Sequence, residues 1–92
     1  MILSGQKTVT AAGTAVALGD QVINGPLVVK ALAGNTGLVY VGNNGSGDVA
    51  SSNGFELTAK EEVRFNFVGN LSEIIVDAAT NDDAVCWIAL NV

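Results

Sequence analysis

Carboxylates are the side chains in this sequence with the most scope for chemistry. Asp77, Asn81, Asp82 and Asp83 lie close together and carry hard oxygens of the kind that ligate calcium. Their spacing is not that of an EF-hand loop, and the glycine such a loop needs at its sharp turn is missing, so a solvated acidic loop is the plainer reading. Glu62 and Glu73 would suit a glycosidase-type acid pair only if the fold brought them within about 5–10 Å, and nothing selects that pair over another. The chain has no histidine, which removes the commonest general base and the commonest transition-metal ligand. Cys86 is the single cysteine, with no histidine to activate it and no second cysteine to bridge, and it sits amid apolar residues like a small core side chain. Residues 42–47 (GNNGSG) lack the lysine and the following helix of a phosphate-binding loop and read as a surface loop. Trp87 and Tyr40 could stack on a sugar ring if exposed, but both lie within apolar runs, where aromatics usually belong to the core. The sequence therefore predicts a protein that is not an enzyme and uses neither cofactor nor metal.

The elements that would carry these residues are strands. Apolar, β-branched runs recur about every 8–12 residues, separated by turn signals. They fall at residues 7–11, 14–18, 27–33, 38–41, 55–57, 62–68, 73–77 and 84–90. Asn24-Gly25-Pro26 reads as a strong turn, and residues 62–68 (EVRFNFV) alternate so that Val63, Phe65 and Phe67 share a face. Residues 58–62 (TAKEE) are too short for an independent helix and read as a tight connection. About eight short strands in one small chain predict an all-β fold, an antiparallel β-sandwich of jelly-roll type. Gly34-Asn35 and Gly69-Asn70 each open a similar turn-and-strand segment, 35 residues apart, as two Greek-key halves would.

With 92 residues, the chain has room for one domain, expected over residues 8–92 behind an N-terminal arm at residues 1–7. Its 49% hydrophobic and 14% charged residues are an unusual balance for so small a fold, where surplus apolar side chains must meet the surface or a partner. Several strands are apolar on both faces: in residues 38–41, Leu38 and Tyr40 oppose Val39 and Val41. A two-layer sandwich buries one face of each sheet, so the other needs a neighbouring subunit, a larger partner or the chain's own loops. Met1, Ile2 and Leu3 of the arm, with Val39 and Val41, are the candidate assembly contacts. Net charge is −5 and the four basic residues are scattered, which predicts no nucleic-acid binding and no attraction to an anionic membrane. No apolar run approaches the roughly 20 residues of a spanning helix. Residues 1–5 lack the basic flank and apolar core of a signal peptide, so synthesis in a cytoplasm is expected.

Four segments carry a resemblance: residues 33–42 (AGNTGLVYVG), 54–57 (GFEL), 70–78 (NLSEIIVDA) and 83–90 (DAVCWIAL). Over roughly two-thirds of its length the chain resembles the small jelly-roll head decoration proteins of tailed bacteriophages and related virion β-domains. The resemblance implies a cement protein made in the host cytoplasm and carried on the capsid surface, where it self-associates, commonly as a homotrimer. Its partners would be copies of itself and the major capsid protein or another virion protein. Similar domains in tails and fibres imply an alternative, a receptor- or glycan-binding module. The motifs are patterns of strand and turn, so no individual functional residue transfers with them.

Overall fold

The computed structural model describes residues 1–42, 49 and 54–90. Eight strands lie among them: β1 (Leu3–Thr8), β2 (Val16–Ala17), β3 (Val22–Ala31), β4 (Val39–Gly42), β5 (Phe55–Leu57), β6 (Glu62–Asn70), β7 (Ile75–Ala78) and β8 (Ala84–Ala89), with one 3-10 turn at Leu71–Glu73. They form a front sheet ordered β1-β8-β3-β6 and a back sheet ordered β2-β7-β4-β5, antiparallel throughout. First pairs with last, second with seventh, third with sixth and fourth with fifth, as in one long hairpin. The pairs β3·β8 and β4·β7 roll that hairpin into two stacked sheets, which is the jelly roll the sequence predicts.

Alternation becomes packing most clearly in β3, where Ile23, Leu27, Val29 and Ala31 point inward and Val22, Asn24 and Lys30 point out. Across the interior stand Val39, Val41, Leu57 and Val76 of the back sheet. Each fully buried aliphatic side chain, such as Ile23, Leu27, Val39 or Val85, contributes about 1.5–3 kcal/mol by leaving water.

The structure corrects several expectations. Asn24-Gly25-Pro26 is not a turn but the middle of β3, a central strand. Proline is tolerated there because β3 and β6 change register on either side of Gly25, while the Pro26 carbonyl still accepts a bond from the Leu90 amide at 2.9 Å. One of these irregularities lies on β6: Leu27 faces Phe65 and Gly25 faces Val68, so three residues of β6 match two of β3. The extra residue breaks the alternation, so Val68 turns inward and Phe67, expected beside Val63 and Phe65, is left 68% exposed. The arm expected at residues 1–7 is mostly strand, since Leu3–Thr8 pairs with β8 and only Met1 and Ile2 extend beyond it. The tight connection expected at residues 58–62 is present, a turn closed by the Glu61 amide on the Thr58 carbonyl at 3.0 Å with Lys60 at φ +76°, except that Glu62 already belongs to β6.

The corners between sheets are tied by side chains. Asn35 and Asn70 each stand where the chain crosses from front sheet to back. Asn35 exchanges hydrogen bonds with the Ala84 backbone at the head of β8. The Asn70 Oδ1 accepts the Gln21 amide ahead of β3 at 3.1 Å and the Ser72 amide at 2.9 Å. Each outgoing crossing is thus fastened to a returning one, giving the two Gly-Asn segments matching structural roles.

Candidate assembly surface

Three of the four residues in the acidic cluster, Asp77, Asn81 and Asp83, hold neighbouring backbone. Asp83, buried beneath the β3–β4 corner, accepts the amides of Thr36 and Gly37 at 3.1 and 2.8 Å. Asp77 Oδ1 accepts the amides of Gly13 and Ala78 at 3.0 and 2.8 Å, and Asn81 Oδ1 accepts the Ala12 amide at 2.8 Å. The predicted solvated acidic loop is thus in part a set of buried acceptors that anchor neighbouring backbone. Among the described residues no group of three or more acidic or cysteine side chains is placed to hold a metal ion. Glu62 opens β6 and Glu73 lies beyond its far end, roughly 25 Å away at 3.3 Å per residue, which separates them too widely for a glycosidase pair. The Glu61 carboxyl is held below its usual value because its Oε1 accepts the Thr58 amide at 2.7 Å.

The two aromatics that could have stacked on a sugar are not brought together. Tyr40 is only 5% exposed, on the outer face of the back sheet beside Asp77 at 3%. Trp87 points toward the interior of the front sheet and lies partly buried over Gly5 of β1. The bond from Gly13 to Asp77 brings the β1–β2 connection to the outer face of the back sheet. On the second face of residues 38–41, Tyr40 is therefore buried within one chain, while Leu38 stays half-buried. Val39 and Val41, at 0% and 2% exposure, face the sandwich core and are not assembly contacts. They alternate with Tyr40, and it is their face that the front sheet covers.

What remains at the surface is concentrated on the front sheet. Met1 and Ile2 are 83% and 64% exposed, whereas Leu3 packs partly against the core. Strand register lines up Ser4, Ile88, Val28 and Arg64 in one row across the outer face and Gln6, Cys86, Lys30 and Glu62 in the next. Ile88, Val28 and Cys86 line a shallow depression of about 140 Å³ at the centre of that face. Cys86, expected in the core, is therefore on the outer face of a central strand. A second groove, of about 290 Å³, opens beside the β6 edge between Phe65, Phe67, Val68, Gly42, Glu73 and Ile74. Phe55 is also exposed, on the β5 edge of the back sheet. Alternation alone puts Phe67 on the face of Val63 and Phe65, and nothing in the sequence marks Phe55 as exposed. Residues 43–47 of the glycine-rich stretch lie outside the described residues.

No protein-family model matches the chain, and no curated protein does. Among solved structures it is similar to a protein of Bacillus endospore appendages, described as forming a novel family of disulfide-linked pili. The two share 15% identity over 99% of this chain and 89% of that one, with a TM-score of 0.40. A likeness at that level carries no argument about function.

Proposed function

We propose that this chain is a structural protein of a tailed-phage virion, a capsid decoration or cement protein that self-associates on the head surface and stabilises it. The observation carrying the assembly part is the set of large apolar side chains left outside a core that is already complete. Met1, Ile2, Val22, Ile88, Leu90 and Phe67 remain exposed, and all belong to the front sheet or its immediate extensions. Contiguous apolar surface on a small domain marks an interaction site more often than a free surface. The head-decoration part is supported by the sequence resemblance, as is a trimer.

A non-catalytic role is supported by the absence of histidine and by the commitment of Asp77 and Asp83 to backbone amides. The reading includes no cofactor, nucleic acid or membrane. The glycan-binding alternative loses Tyr40 as a stacking surface, because that ring is buried. Cryo-electron microscopy of purified virions tests the proposal: density for this jelly roll on the head shell is expected, and absence of the chain from virions overturns it.

A further inference from the structure

Two sheets have four edges, and they are not equivalent. In the back sheet the edge strands β2 and β5 are two and three residues long, too short to template another strand. The front-sheet edges are longer, six residues in β1 and nine in β6, and among the described residues neither has a strand on its outer side. Such a row of unpaired amides and carbonyls accepts an added strand unless something blocks it. β1 carries a partial block, since Lys7 lies on the inward face, opposite Val85 of the core, where a charge discourages indiscriminate pairing. β6 has only apolar residues facing inward, Val63, Phe65 and Val68.

The geometry points to a continuation of the front sheet from one copy of this chain to the next, with β6 of one copy receiving β1 of its neighbour. This inference rests on the self-association in the proposed function and names the surfaces that perform it. Direction supports it. Strands alternate across β1-β8-β3-β6, so an antiparallel strand added beside β6 runs the same way as the chain's own β1. The start of the incoming β1 then lies at the Phe67–Asn70 end of β6, and its Lys7 lies toward Glu61 and Glu62.

That orientation matches apolar with apolar. Met1 and Ile2, exposed ahead of β1, meet Phe67 and the groove between Phe65, Val68 and Ile74. At the other end Lys7 comes level with Glu62 but lies on the inward face, whereas Glu62 is on the outer one, so the match rests on the apolar end. The two-fold alternatives fit less well. Pairing β6 with β6 brings Glu61 and Glu62 toward the neighbour's exposed Glu73, which stands at the Gly69 end. Pairing β1 with β1 sets Lys7 beside the neighbour's Met1 and Ile2. A head-to-tail contact of this kind closes into a ring where its rotation allows, and a ring of three is one such closure.

Disulfide trapping tests the pairing on the full chain. In a Cys86→Ser background, Ile2→Cys and Phe67→Cys place single thiols on the two edges. Within one chain those edges lie roughly 14 Å apart, three strand spacings, beyond the roughly 7 Å that a disulfide spans. Mixing the two single-thiol variants under mild oxidation is expected to give a mixed dimer in excess of either homodimer. The double variant is expected to give a covalent ladder or ring. Phe67→Asp, at an exposed site, should weaken self-association about 30-fold with an unchanged circular dichroism spectrum. Preferential trapping of Phe67→Cys with itself, or oligomers that no pair traps, would overturn the pairing while leaving the cement reading intact. A native mass fixed at the 9.3 kDa of one chain up to millimolar concentration would also overturn it. Absence from virions with a trapped ladder present would sink only the cement reading.

Discussion

Asn35 and Ala84 exchange two hydrogen bonds across 49 residues: the Asn35 Nδ2 donates to the Ala84 carbonyl at 2.8 Å, and its Oδ1 accepts the Ala84 amide at 2.9 Å. The carboxamide thus imitates one residue of a neighbouring strand and satisfies the donor and acceptor with which β8 begins. Replacing it with alanine leaves the Ala84 amide unpaired, while the Ala84 carbonyl keeps the Leu32 amide at 3.1 Å. Asn35→Ala should lose about 1–2 kcal/mol by denaturant unfolding, with a melting point about 5–10 °C lower. Asn35→Asp keeps the acceptor but sets a charge against the Ala84 carbonyl, so it should rescue little of that loss. An Asn35→Ala variant as stable as the parent would show that the corner is held by other contacts.

The same pair shows where sequence reading stops. The Gly-Asn segments at residues 34 and 69 are visible as a weak repeat, but their partners, Ala84 and Gln21, each lie 49 residues away and are joined only by the rolled topology. Strands with strong local character were legible: β5 begins and ends where its residues predict, and β6 and β8 begin there. β1 starts earlier than its local pattern indicates because Leu3-Ser4-Gly5-Gln6 has little intrinsic strand preference and is drawn into the sheet by β8. Pro26 concealed the middle of β3, since a proline normally ends a central strand unless bulges accommodate it. At the candidate site Met1 and Ile2 are exposed, whereas Leu3, expected to be exposed with Ile2, is drawn against the core by the pairing of β1 with β8. The fate of Val39 and Val41 depended on which face of a doubly apolar strand the opposite sheet would cover, and local pattern carries no information about that.

The burial of Val39 predicts a clear contrast with the outer face. Val39→Ala removes two methyl groups from a site with no solvent exposure and should cost about 2 kcal/mol. Ile88→Ala, on the open face of the front sheet, should change the stability of a single chain by less than about 1 kcal/mol. Equilibrium unfolding at a concentration low enough to keep the protein monomeric makes the comparison, and equal losses would contradict the assignment of inner and outer faces.

Gly5, the glycine of β1, should resist replacement because Trp87 occupies the space beside it. A Cβ at position 5 would lie 2.8 Å from the Trp87 Cζ2 and 3.0 Å from Cε2, inside contact distance of a rigid ring. Gly5→Ala must therefore tilt the indole or part β1 from β8, at a cost of about 1–3 kcal/mol, with a shift in tryptophan emission. Gly34→Ala is the control, since nothing lies within 4 Å of its added carbon, and its stability should stay within about 0.5 kcal/mol of the parent. Unchanged emission in Gly5→Ala would place the indole elsewhere.

The turn ahead of β6 gives the molecule a pH-sensitive contact whose sign can be worked out. Glu61 accepts the Thr58 amide at 2.7 Å, which favours the charged carboxylate and lowers its pKa from the ordinary value of 4.5. A group depressed in the folded state stabilises that state when ionised, so the contribution is full above the unfolded value. It fades as pH falls through the lower folded value. Glu61→Gln keeps an acceptor oxygen but removes the titration. The stability difference between parent and Glu61→Gln should therefore be constant near neutral pH and change only below about 4.5, as the parent loses its charged acceptor. Carbon-detected NMR titration of the Glu61 carboxyl should give a midpoint below 4.5, and a midpoint at or above that value would remove the Thr58 contact from solution.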